Sequence, residues 1–281
     1  MPLRDTRMPG NDAGEEALID VAAVERVAAT ASTNDDLLAR IRAAAEAGAT
    51  AFASCVLVAD AQTAGRGRHG RVWHAAAGRS LTFSLAWQPR RGSLDGLSLA
   101  VGAALADALD ASREAPRIGI KWPNDLWLVD GAANAGSPGG GRKLAGILVE
   151  TAPLGSARVA VIGVGLNVVA HAIDDAAAGV ASLDEILPGA TPAAALARAL
   201  PALAAALARF ERGGLAAFAA SFAARDVLRG RAVVAADGDV AGVATGIGDD
   251  GALLVDTGGR VVAVTSGEWR LRVGAEAERA C

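Results

Sequence analysis

Three glycines and four basic or potentially basic side chains fall within the seven residues Gly65-Arg66-Gly67-Arg68-His69-Gly70-Arg71, and Val72-Trp73 follows directly. Glycine lets a backbone turn through positive φ and approach a ligand closely. Backbone N–H groups presented in this way form a concave nest for anions. Arginine adds charge-assisted, often bidentate, bonds to phosphate or carboxylate. The chain as a whole carries a net charge of −4, so the positive cluster is local. The stretch reads either as a solvated turn or as a loop that wraps a small anion, and the glycine spacing favours the loop. Gly65-x-Gly67-x-x-Gly70 also fits the dinucleotide fingerprint and, with Val72, the kinase glycine-rich loop. Both need a context that is missing here. A short small-residue run from His74 to Gly78 follows where a helix would be required, and no Val-Ala-Ile-Lys strand, His-Arg-Asp loop or Asp-Phe-Gly triplet is present.

The other candidates abut apolar runs: Ser32-Thr33-Asn34, Gln62, Trp73, Asn124-Asp125, Lys143 and Asn167. Polar side chains are costly to bury without partners, so their recurrence at strand ends predicts convergence on one site. Amides and hydroxyls suit a neutral polar ligand such as a ureido or amide ring. Arginines and a lysine suit phosphate and carboxylate. A Ser-His-Asp set, a Cys-His pair and zinc-ligand spacing are all absent, which argues against covalent nucleophilic catalysis and metallohydrolysis. Ser32, Thr33 and Asn34 precede a helical stripe and could simply cap it. One cap needs one residue, so a ligand role stays open. For Trp122 the reading is packing beneath the Asn-Asp turn.

These residues need elements to hold them. Asp35 to Glu46 reads as a helix with acids in its first turn and Gly48 beyond its end. Phe52 to Val58 and Leu81 to Trp87 read as strands, Leu97 to Leu109 as an alanine-rich helix, and Arg117 to Lys121 with Leu126 to Val129 as a strand pair. Lys143 to Glu150 and Arg158 to Asn167 form a second pair, after a Gly/Ala/Asn/Ser/Pro-rich loop tip from Gly131 to Arg142. Residues 170 to 192 are irregular and acidic, a candidate lid. Pro192 to Arg209 and Leu215 to Ala224 read as helices. From Arg231, short valine-rich runs alternate with Asp-Gly and Thr-Gly-Gly turns, the pattern of a small closed barrel. The fold class is therefore α+β with a mixed or antiparallel sheet. The predicted divisions are a flexible tail over 1–22, a main domain over 23–229 and a barrel over 230–274.

Composition narrows the classes further. The chain has 281 residues, 52% of them hydrophobic, enough for a sizeable core. Apolar runs of membrane-spanning length are broken by charge, Gly or Pro. Asp12, Glu15, Glu16 and Asp20 exclude a secretory signal near the start. Cys55 sits in an apolar run and reads as core, whereas Cys281 is terminal and free. Cytoplasm is the simplest compartment. The sequence pI of about 5.5 argues against general nucleic-acid binding.

Ser-Thr-Asn, Gln-x-x-Gly-Arg-Gly-Arg-x-Gly-Arg-x-Trp, Lys-Trp-Pro-Asn-Asp, Lys-Leu-Ala-Gly-Ile-Leu-Val-Glu and Gly-x-Gly-x-Asn, in this order, resemble the biotin–protein ligases over about residues 25 to 275. The resemblance implies a catalytic domain like that of class II aminoacyl-tRNA synthetases and an SH3-like C-terminal barrel. It implies that biotin and ATP, with Mg²⁺, form biotinyl-5′-AMP, and that biotin then passes to one lysine of a biotin carboxyl carrier protein of acetyl-CoA carboxylase or related carboxylases. The roles it implies are as follows. Ser32, Thr33, Asn34 and Gln62 hold the biotin head group, with Gly65, Arg66, Gly67, Arg68, Lys143, Gly146 and Gly163 completing its pocket. Any Cβ at Gly146 or Gly163 would intrude on that cleft. Arg66, Arg68, Arg71, Trp73, Asn124, Lys143 and Asn167 meet the adenylate, and Asn167 bonds adenine. Lys143, Arg68 and Asp125 carry catalysis, and Asp125 helps position Mg²⁺ or the incoming lysine. The glycine-rich loop is expected to be mobile until ligand orders it.

Many bacterial members also carry a DNA-binding domain at the N-terminus. Only about 20 residues precede the catalytic region here, so no DNA partner is expected, and the protein is expected to be a monomer or homodimer away from membranes. Two other readings compete with this one. A lipoate or octanoyl transferase of the same fold lacks the Gly-Arg-Gly-Arg loop, and a non-enzymatic biotin sensor has no use for Lys143 and the arginines.

Overall fold

The computed structural model describes residues 24–90, 92–112, 114–129, 141–171, 179–234, 240–265 and 272–273. The expected N-terminal tail, Cys281 and nearly all of the Gly131 to Arg142 tip lie outside the described residues.

Seven strands form the main sheet in the order β1-β2-β3-β7-β6-β5-β4, where β1 is Val24–Thr30, β2 Cys55–Gln62, β3 Ser80–Trp87, β4 Ile118–Lys121, β5 Asp125–Leu128, β6 Arg142–Leu154 and β7 Ala157–Asn167. Only β1 and β2 run parallel; every other neighbour is antiparallel. The mixed sheet expected from the hairpin pattern is thus present. The edge strand β1 was not foreseen: most of its side chains are exposed or half-buried, so no alternation marks it.

Helix α1 (Thr33–Glu46) starts two residues earlier than expected because Ser32 is its N-cap, accepting from the Asp35 N–H. Its apolar stripe, Leu37, Leu38 and Ile41, packs on Leu57, Ala86, Val159 and Val161 at one sheet face. Each such side chain contributes about 1.5–3 kcal/mol on burial. The alternate residues of the same strands, Val56, Val58, Phe83, Leu85 and Ile162, point the other way, under α2 (Leu97–Leu109) and α3 (Pro192–Gly213). With both faces covered, every residue of β3 is buried, Ser80, Thr82 and Ser84 included. Helix α3 is long and apolar enough to cross a membrane by length and composition, although Arg198 and Pro201 interrupt it. Its buried stripe of Leu200, Leu203, Leu207 and Phe210 belongs to the core, while Arg198, Arg209 and Arg212 are exposed. The helix expected after it splits into a 3-10 turn, Leu215–Phe218, and the short α4, Ala219–Ala223. Cys55, read as core, is half-buried beside the α1 cluster, and burial pushes its thiol up.

The C-terminal region is a five-stranded antiparallel sheet in the order β11-β10-β9-β8-β12, built from β8 (Ala232–Val234), β9 (Ala241–Ile247), β10 (Leu253–Asp256), β11 (Val261–Val264) and β12 (Arg272–Val273). It does not hang on a free linker. The Ile120 N–H donates to the Arg225 carbonyl (2.6 Å) and the Val227 N–H donates back to the Ile120 carbonyl (3.0 Å), so the connecting chain runs along β4. Trp122 is buried and donates its Nε1–H to the Gly251 carbonyl of the small sheet at 2.8 Å.

Arg225, 5% exposed, anchors this junction. Its guanidinium bonds Asp107 Oδ1 (2.9 Å), Asp110 Oδ2 (3.1 Å) and the carbonyls of Ile118 (2.8 Å) and Asp110 (2.6 Å). Burial alone would push the Asp110 carboxyl up. The Ile118 N–H, the Arg225 guanidinium and the Arg117 and Ser112 N–H groups outweigh it and hold the carboxyl below its ordinary value. A depressed carboxyl contributes stability that is complete above its unfolded value and is lost as pH falls through its folded one. Arg225→Met should therefore cost about 3–5 kcal/mol at neutral pH, because it strands the partly buried Asp110. The penalty should shrink at acid pH, below the ordinary aspartate range, as the folded carboxyl protonates. Urea unfolding of both proteins at the two pH values checks this, and an equal penalty at both would remove Asp110 from the account.

Candidate active site

The register of three central strands leaves bare sheet where the site forms. Gly163 on β7 lies opposite Ser84 on β3 and Leu148 on β6, and Gly165 lies opposite Gly146. A Cβ on Gly163 would come 2.3 Å from Asn34 Oδ1, and one on Gly165 would come 2.2 Å from Trp73 Cε2. At Gly146 the nearest atom would be Trp73 Cζ3 at 3.4 Å, an ordinary contact, so protein atoms do not exclude a side chain there. Gly165, which sequence reasoning did not single out, is the position where the ring demands glycine.

Over this bare patch lies a cavity of about 210 Å³. Ser32, Thr33, Asn34, Gln62, Arg66, Gly67, Arg68, Arg71, Trp73, Asn124, Asp125, Lys143, Gly146 and Gly163 all line it, so most of the residues chosen from sequence converge. Gly65 and Asn167 stand just outside. Gly65 is excluded from carrying a side chain by the Trp73 carbonyl, 2.5 Å from where a Cβ would sit. Asn167, at the end of β7, reaches the Lys143 carbonyl through Nδ2 at 3.5 Å, and its Oδ1 is buried without a hydrogen-bond partner among the described residues.

One end of the cavity is neutral and polar. The Thr33 N–H donates to Gln62 Oε1 (2.8 Å), the Thr33 and Ser84 hydroxyls meet at 2.6 Å, and Ser84 donates to Asn34 Oδ1 (2.6 Å). Asn34 Nδ2 donates to Glu150 Oε2 (2.9 Å) and to the Leu148 carbonyl (3.3 Å). Thr33 and Asn34 sit in the first turn of α1, and Ser32 alone does the capping, which leaves those two side chains for the cavity.

The glycine-rich loop closes on itself between the two ends. Trp73 N–H donates to the Gly65 carbonyl (2.8 Å), Gly67 N–H to the Arg71 carbonyl (2.7 Å) and Arg71 N–H to the Arg68 carbonyl (3.2 Å). A 3-10 turn, Arg68–Gly70, forms its tip, with positive φ at His69 and Gly70. The loop is thus a hydrogen-bonded turn. Arg66 lines the cavity and pairs with Asp35 of α1 (2.8 Å) and Glu150 of β6 (2.6 Å).

The other end is cationic. Lys143 pairs with Asp125 at 2.8 Å and its Nζ lies 5.9 Å from the Trp73 ring centre. Lys121, missed as a site residue although it opens the Lys-Trp-Pro-Asn-Asp motif, lines the cavity with its Nζ 4.3 Å over Trp127. Burial pushes its ammonium down, the Asp125 carboxylate opposes this, and Lys143 and Arg71 push it further down. Burial also lowers Arg68, again against Asp125. Among the described residues, Asp125 is the carboxylate that faces Lys121, Lys143 and Arg68, which makes this end cationic and suited to an anionic ligand. The Asn124 amide is already committed: it donates to the Ile147 carbonyl at 2.7 Å and braces the turn against β6. Of the acidic lid candidate, residues 172–178 lie outside the described residues. Its flank pairs beside Lys143, with Ala181 N–H donating to the Lys143 carbonyl at 2.9 Å. Glu150 was visible at the end of its motif and Gly165 within Gly-x-Gly, but no signal marked Ser84, a hydroxyl in an apolar strand.

Residues 49–167 match the Biotin/lipoate A/B protein ligase family, and residues 230–269 match the biotin protein ligase C-terminal domain. A Mycobacterium tuberculosis biotin–[acetyl-CoA-carboxylase] ligase is 36% identical over 252 residues, covering 86% of each chain. The Escherichia coli bifunctional ligase/repressor BirA is 36% identical over 225 residues, which span 76% of this chain but only 65% of that protein's length. A biotin protein ligase from Aquifex aeolicus, solved with biotin and ATP, superposes with a TM-score of 0.71 at 25% identity, covering 89% of this chain and 99% of that one. With two domain matches in the order the fold shows, the chain belongs to the biotin protein ligases.

Proposed function

We propose that the protein is an ATP-dependent biotin–protein ligase. One observation carries this reading: a single cavity has hydroxyls and amides at one end, four cationic side chains at the other, and apolar wall between them. Biotin fits that polarity, with its ureido ring at Thr33, Asn34 and Gln62 and its carboxylate beside Lys143, Lys121, Arg68 and Arg71. The biotin carboxylate attacks the α-phosphorus of ATP, the bond to the pyrophosphate oxygen breaks, and biotinyl-5′-AMP remains. Lys143 stabilises the charge that builds on the α-phosphate oxygens, and adding that negative charge draws it off Asp125. The released Asp125 carboxylate then stands where an acceptor lysine must lose a proton before its amine attacks the acyl carbon and AMP leaves. Asn167, with its unpaired Oδ1 at the strand end, accepts from the adenine amino group.

Mg²⁺ enters as the companion of the nucleotide. Among the described residues no cluster of three acidic, His or Cys side chains is present, but Mg²⁺ is commonly held by one or two carboxylates plus substrate phosphates, and Asp125 supplies one. When bound it would neutralise phosphate charge. The acceptor we assign is a biotin carboxyl carrier protein of acetyl-CoA carboxylase or a related carboxylase, in keeping with the name of the mycobacterial relative. We place the catalytic unit in residues 23–229, the barrel in 230–274 and the reaction in the cytoplasm.

Pyrophosphate exchange into ATP should depend on biotin and should not occur with lipoate or with neither; exchange driven by lipoate alone would overturn the assignment. Lys143→Ala should slow that exchange about 10²–10³-fold with the fold intact, since it removes one preorganised charge at the reacting centre. Gly163→Ala should raise the biotin KM by at least about ten-fold, because the new methyl displaces the Asn34 amide from the polar end; an unchanged KM would show that Asn34 does not shape the pocket. Arg68→Gly removes a cation and adds backbone freedom costing roughly 1 kcal/mol. That variant should still make the adenylate but release it, labelling lysines of a bystander protein mixed in with biotin and ATP. A clean bystander with normal adenylate synthesis would show that Arg68 does not retain the intermediate.

A further inference from the structure

Two hydroxyls behind the cavity make more contacts than they have protons. Thr33 Oγ1 lies 2.6 Å from Ser84 Oγ and 3.1 Å from Gln62 Oε1, while Ser84 Oγ lies 2.6 Å from Asn34 Oδ1. Each hydroxyl has one hydrogen to give. Which way each points depends on the Asn34 amide, and amide orientation is assigned from the surrounding network. Here the network decides it. Asn34 Nδ2 faces two acceptors, the Leu148 carbonyl and the Glu150 carboxylate, and a flipped amide would set Oδ1 against that anion. The carboxylate cannot turn away, because the same Oε2 oxygen also holds Arg66 at 2.6 Å. With Nδ2 fixed on Glu150, Oδ1 must face Ser84, so Ser84 must donate to it. Thr33 then gives its hydrogen to Ser84, the nearer of its two partners. Gln62 Oε1 keeps the Thr33 backbone N–H at 2.8 Å.

We propose that Glu150 and Ser84, neither of which reaches the ligand, are positioning residues that polarise this chain. Every hydrogen runs from Thr33 through Ser84 and Asn34 to the Glu150 carboxylate, so Thr33 Oγ1 meets the cavity as a hydrogen-bond acceptor. The pocket end is thereby built for a ligand N–H at Thr33, as the cyclic urea of biotin presents, and against a carbonyl or thioether there. Ser84 is fully buried, so it acts only through its neighbours. A site whose polar groups are already oriented rejects analogues that lack the matching group. Arg66 acquires a role from the same geometry: it pins the carboxylate on which the chain ends.

This inference rests on the biotin reading, and the test separates the two. Biotin affinity is measured by calorimetry, and the KM for ATP and kcat by pyrophosphate exchange, for the full chain, Ser84→Ala, Glu150→Ala and the double variant. Ser84→Ala removes the acceptor of the Thr33 hydrogen, which then turns to Gln62 Oε1 or into the cavity, and strips Asn34 Oδ1 of its donor, so biotin should weaken about ten-fold, the value of one hydrogen bond. Glu150→Ala should weaken it about five-fold, less because the Leu148 carbonyl still holds Asn34. Both should leave the KM for ATP and kcat at saturating biotin within about two-fold, a split that general loosening of the site would not produce. In the double variant the Glu150→Ala effect should vanish, because the relay is already cut at Ser84. Full additivity would show that Glu150 acts by another route and overturns the proposal, as would unchanged biotin affinity in Ser84→Ala. Absence of biotin binding by the unaltered chain would overturn the biotin reading and this inference together.

Discussion

The site depends on side chains that are missing from the middle of a sheet. Central strands normally fill both faces, and β7 does so from Val159 to Leu166 with valine, alanine, isoleucine and leucine except at Gly163 and Gly165. Those gaps share one face, since residues two apart on a strand point the same way. The Asn34 amide occupies one gap and the Trp73 indole stands over the other, and the cavity lies where these two and the loop fail to close. Everything else follows from what surrounds the bare patch. The N-terminus of α1 brings polar groups to one end, and the β4–β5 turn with the start of β6 brings cations to the other. The loop between Gly65 and Trp73 runs across the top because its ends bond to each other at the patch.

The cationic end gathers positive charge around Asp125. Asp125 is the carboxylate nearest to Lys121, Lys143 and Arg68, and burial already disfavours the charge on Lys121 and Arg68. Among the described residues Asp125 faces all three, so an incoming anion meets a concentration of positive charge. The polar end is the opposite case. The Thr33 and Ser84 hydroxyls and the Asn34 amide bond one another, and a ligand there adds to a chain that is already oriented. Affinity at one end and selectivity at the other are thus separate properties with separate causes.

Much of this was legible along the chain. Helix α2 was read with both ends right, because it is rich in leucine and alanine and Gly96 precedes it. The strand pairs were read because turn residues interrupt valine-rich runs, and the loop was read because glycines and arginines alternate within it. Pairings that span long sequence separations were not legible. Ser84 meets Asn34 across 50 positions and Glu150 meets it across 116. No local spacing encodes such contacts; they follow from strand register, which a single sequence leaves unstated. Arg66 shows the same gap. Its type predicted an anion partner correctly, but the partner is carboxylate from α1 and β6, and only the fold puts those within reach. Edge strand β1 escaped because an exposed parallel edge carries no two-residue period.

The junction to the small sheet bears on how such a chain can be rearranged. Exchangeable modules in proteins are joined by segments that make few bonds of their own. Here the joining residues extend the main sheet along β4, Arg225 is locked into the carbonyls beside it, and the Trp122 indole reaches the Gly251 turn from the floor of the cavity. Cutting the chain at the apparent boundary would strip an edge strand of its partner and a buried tryptophan of its acceptor. The two sheets therefore travel as one heritable unit: recombination that replaced the small one alone would have to rebuild the wall of the catalytic cavity as well.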